Sequence, residues 1–144
     1  MELFRFFWRG LPAYVWVGFA YALVVVGAPI PGSNIVALER YLASPLFSVP
    51  LLNSGTFLVS FNAIFIVAAF VAVWIEVIRA TSIRNRAGND WMSLVATFIA
   101  ILVFAGSEPF GTMAFMVVPL AGFGDLLLDR LVGQAVARRD FAVN

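Results

Sequence analysis

Glu76, together with Ser60 and Asn62 on the same apolar stretch, is where this sequence carries groups suited to chemistry. A carboxyl group set about one turn inside an apolar segment is costly to place, and it marks a candidate site for a proton or an ion. Arg79 follows three residues later, the spacing of a same-face helical pair. An ion pair at headgroup level is therefore the structural reading of Glu76, and the stronger of the two. Ser60 and Asn62 lie toward the other end of the stretch. A hydroxyl or an amide in lipid needs a hydrogen-bond partner. Holding one helix against another is its usual use, at about 1 kcal/mol; lining a ligand path is the alternative. Glu76, Asn62 and Ser60 make up the candidate intramembrane polar site.

Asp125 and Asp129 stand four apart, so a helix would put both carboxylates on one side. Such a pair has the chemistry to hold a divalent cation. It is similar to the second half of the aspartate motif of the CDP-alcohol phosphotransferases. Ala121 stands where that motif has glycine, and the upstream Asp-Gly and Ala-Arg elements are absent. The favoured reading makes the two aspartates the polar face of a surface helix near Arg130, with no metal site.

The missing residue types narrow the field further. There is no Cys, His or Lys. That excludes disulfides and thiolate nucleophiles, imidazole bases and histidine ligands for haem or zinc, and lysine Schiff bases. The remaining carboxylates, hydroxyls and arginines form no catalytic constellation. The expectation is a protein that is not an enzyme and carries no cofactor. A net charge of +1 gives no attraction to nucleic acid.

The elements that must position these residues follow from composition. Of 144 residues, 62% are hydrophobic and 12% charged, against roughly 25% charged in soluble domains. A small soluble domain buries only about two thirds of its chain surface. A bilayer as solvent resolves the excess. The expected fold is an all-α integral membrane protein forming a single domain over residues 1–144. Its four transmembrane helices lie at about 11–28, 56–78, 91–105 and 112–128. Residues 2–9 mix aromatics with arginines and read as an interfacial segment. The first apolar stretch is longer than a typical signal-peptide core, so it reads as a retained span. Pro29, Pro31 and Gly32 end it. Ser33 or Asn34 should then cap a short interfacial helix, Ile35 to Ala43, with Ile35, Leu38 and Leu42 on one face. Two prolines make residues 45–54 read as a loop against the bundle. Asn89 or Asp90 should cap the third span. Pro119 lies inside the fourth and should kink it. Beyond that span, a separate amphipathic C-terminal helix should lie along the surface.

Arginine distribution sets the orientation. With four spans, Arg5, Arg9, Arg79, Arg84, Arg86, Arg130, Arg138 and Arg139 fall on one side, and Arg40 alone on the other. The positive-inside rule makes the first side, and both termini, cytoplasmic. Arginine for every positive charge is what a GC-rich genome gives, and points to a bacterial inner membrane. Small residues four apart, Gly18 and Ala22, Ala68 and Ala72, Ala96 and Ala100, allow close helix packing. The functional expectation is a non-catalytic accessory or assembly subunit of a larger inner-membrane complex. The alternative is a homo-oligomeric transporter or channel for a small solute or ion. The expected partners are the lipid bilayer and either another membrane protein or further copies of this chain.

Overall fold

In the computed structural model, helix α1 (Ala13–Gly27), helix α2 (Ile35–Ala43), helix α3 (Phe61–Thr81), helix α4 (Arg86–Gly106) and helix α5 (Met113–Ala142) are joined by one β-hairpin and one 3₁₀ turn. The hairpin pairs β1 (Pro45–Pro50) with β2 (Thr56–Ser60), and the 3₁₀ turn covers Glu108–Phe110. The structure describes residues 11–30, 34–52, 54–81 and 86–142, with backbone alone at 80, 81, 86–90, 132, 133 and 135–142. Arg5, Arg9 and Arg84 lie outside the described residues, as do the side chains of Arg86, Arg138 and Arg139.

The chain is mostly helical, and each helix satisfies the backbone groups of its interior within its own segment. Among the described residues, one helix is long and apolar enough to cross a membrane by length and composition, Phe61–Arg79 in α3. Ala13–Gly27 and Trp91–Gly106 are shorter apolar helices. At 1.5 Å per residue, α1 is about 22 Å long and α5 about 45 Å. Helix α5 is the centre of the bundle: it packs on α3, on α4 and on α1, and α1 also packs on α3. The buried core runs through all of them, with Tyr14, Tyr21 and Leu42 fully enclosed. Helix α2 covers one end, burying Leu38 and Leu42, with Ile35 half-buried beside them. The Asn34 side chain accepts from the Val36 and Ala37 N–H groups at 3.1 and 3.2 Å, which satisfies donors that a helix start otherwise leaves orphaned.

Several boundaries differ from the sequence reading, each for a local reason. Residues 45–50 are not a loop but strand β1: Pro45 and Pro50 occupy its two ends, where a missing N–H costs the ladder least. Between them Phe47 and Val49 pair with Val59 and Phe57, and aromatic and β-branched side chains of this kind favour strands. The turn closes through the Leu51 N–H donating to the Gly55 carbonyl at 2.8 Å, with Ser54 in the left-handed region at φ 63°. Because Thr56–Ser60 is drawn into this ladder, α3 starts at Phe61 rather than Thr56. Helix α4 extends back to Arg86, so Asn89 and Asp90 lie inside it and are not its cap. The fourth apolar stretch and the tail are one continuous helix, α5, not two. It passes through Pro119, which can offer no N–H to the preceding turn.

Candidate functional site

Glu76 sits in the last two turns of α3, on the face turned toward α1 and α5. It is 2% exposed. Its carboxylate accepts the Ala13 backbone N–H and a hydrogen bond from Arg79 Nη1 at 2.9 Å. Ala13 is the first residue of α1, and its N–H is one of the donors that a helix cannot use internally. The carboxylate therefore closes the α1 N-terminus and meets the positive end of its dipole. Arg79 reaches the same end, donating to the Leu11 carbonyl at 3.3 Å, and its side chain is 40% exposed. The acid and the base together clip the start of α1 to the end of α3.

Next to this clip lies a hydroxyl network. The Tyr14 hydroxyl is 2.9 Å from Thr97 Oγ1 and donates to the Ser93 carbonyl at 2.8 Å. Thr97 Oγ1 also donates to the Ser93 carbonyl, at 2.7 Å. Two hydroxyl protons thus serve three short contacts, and one carbonyl accepts from both. Tyr14, Ser93 and Thr97 are all buried. On the α5 side, Asp125 is 2% exposed, and both Asp125 and Glu76 lie within electrostatic reach of the Tyr14 hydroxyl. Gly122, one turn before Asp125, makes room for Thr97: a Cβ there would stand 2.3 Å from Thr97 Oγ1. At this level of the bundle, α1, α3, α4 and α5 each contribute a buried polar side chain.

A second hydroxyl pair ties α1 to the start of α5. The Tyr21 hydroxyl is 2.6 Å from Thr112 Oγ1 and donates to the Pro109 carbonyl at 2.7 Å. Phe65, Phe110 and Phe115 surround the Tyr21 ring, with centroids 5.1–5.7 Å away. Between the two tyrosines an apolar groove of about 240 Å³ opens between α1 and α4, over Phe115 and Val118 of α5. Gly18 and Ala22 line one wall, Ala96 and Ala100 the other.

The residues singled out from sequence are therefore dispersed. Ser60 Oγ accepts the Ala63 N–H at 3.4 Å, at the start of α3. Asn62 is half-buried, and its Oδ1 has no hydrogen-bond partner among the described residues. Asn62 and Glu76 are fourteen residues apart on one helix, about 21 Å, so they do not share a site. Asp125 is buried and Asp129 half-buried; among the described residues no group of three or more carboxylate-type ligands could hold a metal. Ala68 is half-buried and Ala72 buried on α3, while Gly18 faces Val118. Tyr14, Tyr21, Ser93, Thr97 and Thr112 are not among the residues that the sequence singles out; for the first four the available signal is a polar atom inside an apolar helix, the same as for Asn62, whereas Thr112 lies just before α5.

No family model, no curated protein and no solved structure matches this chain.

Proposed function

We propose that the chain is a multi-pass protein of the bacterial inner membrane, crossed by α1, α3, α4 and the first part of α5, that serves as a non-catalytic accessory or assembly subunit of a larger complex. The observation that carries this reading is the closure of Glu76. Its carboxylate is buried and engaged by the Ala13 N–H and by Arg79, so it joins two helices. Tyr14 and Tyr21 spend their hydroxyls in the same way. A transport path needs polar groups that meet a mobile solute, whereas these meet each other. The arginine pattern supports cytoplasmic termini, with α2 and the hairpin outside. Extraction of the tagged chain from native membranes in mild detergent, followed by mass spectrometry, tests the role. Larger membrane subunits in fixed ratio are expected; an isolated homo-oligomer would overturn it.

One observation favours the second reading, a homo-oligomeric transporter for a proton or small ion. Glu76 and Asp125 are two buried carboxylates on neighbouring helices, both within reach of Tyr14. Buried acids in membrane helices often mark such routes. Proton flux in liposomes that depends on Glu76 would promote it.

A further inference from the structure

We propose that the β1–β2 hairpin is a lipid-binding surface, seated at the boundary between acyl chains and headgroups at the end of α3 remote from Arg79. The proposal rests on α3 crossing the membrane. Three observations carry it. First, every residue of β1 and the first three of β2 are exposed, and Leu52 at the tip is fully so. Second, the register sorts the side chains. Residues directly opposite one another share a face, so Phe47, Val49, Phe57 and Val59 form one wholly apolar face, while Ser48 lies opposite Leu58 on the other and Pro50 opposite Thr56. No charged residue occurs between Arg40 and Glu76, so nothing in the hairpin opposes contact with lipid. Third, β2 runs into α3 without a linker, Ser60 being followed by the helical Phe61. The apolar helix Phe61–Arg79 is about 28 Å long, close to the roughly 30 Å of a hydrocarbon core. With Arg79 at one headgroup layer, the hairpin base falls at the other, continuous with the exposed apolar surface of α3.

Depth follows from the backbone. A two-stranded sheet has two open edges, and open edges are not tolerated in lipid hydrocarbon. In the headgroup layer, water and lipid oxygens satisfy them, while the Phe47–Val59 face rests on the acyl chains. An amphipathic element in this position sinks about 5–10 Å into the boundary. Lacking charge, the hairpin should bind neutral and anionic lipid alike.

The chain has no native cysteine, so single labels are clean. Phe57→Cys, Ser48→Cys, Leu52→Cys and Ile66→Cys variants of the full chain are labelled with an environment-sensitive fluorophore. They are then reconstituted in phosphatidylcholine vesicles carrying a nitroxide either shallow or deep on the acyl chain. The Ile66 label, five residues (about 8 Å) into α3 from the hairpin end, should be quenched by the deep nitroxide more than the Phe57 label is. The Phe57 and Leu52 labels should be quenched by the shallow one, Phe57 roughly twofold more than Ser48 on the opposite face. Leu52 is a turn position, so its label reports even if Phe57→Cys fails to fold. Water-like Phe57 and Leu52 labels beside a quenched Ile66 would overturn the hairpin proposal and leave the crossing of α3 intact. Labels shielded from water, untouched by nitroxide and losing that shielding on dilution would also overturn it, in favour of a second copy of the chain. An unquenched Ile66 label would overturn the crossing and the hairpin proposal together.

Discussion

Near the start of α1, Glu76, Tyr14 and Thr97 each answer a backbone group or another side chain, and this sets what single substitutions should do. Arg79→Ala leaves the Glu76 carboxylate with the Ala13 N–H but without its counter-charge. Loss of one member of a fully buried pair costs several kcal/mol; because Arg79 is part-exposed, solvent screening lowers the expected cost to about 1–3 kcal/mol. Thermal unfolding in detergent would register it, and an unchanged midpoint would remove the clip from the account. Tyr14→Phe removes a hydroxyl shared by Thr97 and the Ser93 carbonyl, and Tyr21→Phe one shared by Thr112 and the Pro109 carbonyl. Each should cost about 0.5–1.5 kcal/mol. The two networks share no partner, so the double variant should lose the sum of the single losses. A marked departure from additivity would show that the networks communicate through α1.

At the scale of elements, the decisive contact is the approach of α4 to α5 at Gly122. A Cβ there would fall 2.3 Å from Thr97 Oγ1 and 3.0 Å from its Cγ2, so Gly122→Ala must push the helices apart or turn Thr97 out of the Tyr14 network. Overpacking of this sort costs about 1–3 kcal/mol. Thr97→Ala should recover part of that loss in the double variant, although alone it is destabilising; a Gly122→Ala chain as stable as the parent would refute the close approach. Gly122 is not legible in the sequence as a contact, because a spacing of four relates small residues on one helix and Thr97 lies on another. The short helix after the first apolar stretch was legible because Asn34 and a sharp apolar face announce it locally. The hairpin was not. Its two prolines argue against strand until their positions at the ends of β1 are known, and its pairing is a property of two segments together. The clip at Glu76 was half legible: the spacing to Arg79 could be read from the chain, but the Ala13 N–H is sixty-three residues away.

At the scale of the whole molecule, the proposed orientation and role each have a direct consequence. The arginine pattern predicts that a cysteine placed at Glu39 reacts with a membrane-impermeant thiol reagent from outside intact cells, and that one placed at Gln134 reacts only after the membrane is opened. Labelling of Gln134 from outside would reverse the topology. The proposed scaffold role and the rival transport reading differ in what they ask of Glu76, so the most direct measurement is made on Glu76→Gln. The purified parent and variant are compared for proton flux in liposomes and for thermal stability. Glutamine keeps an acceptor for the Ala13 N–H but gives up the charge that holds Arg79. The parent should pass no more protons than empty liposomes, and the variant should melt at a lower temperature. Proton flux by the parent that vanishes in Glu76→Gln, with the melting temperature unchanged, would contradict the scaffold role.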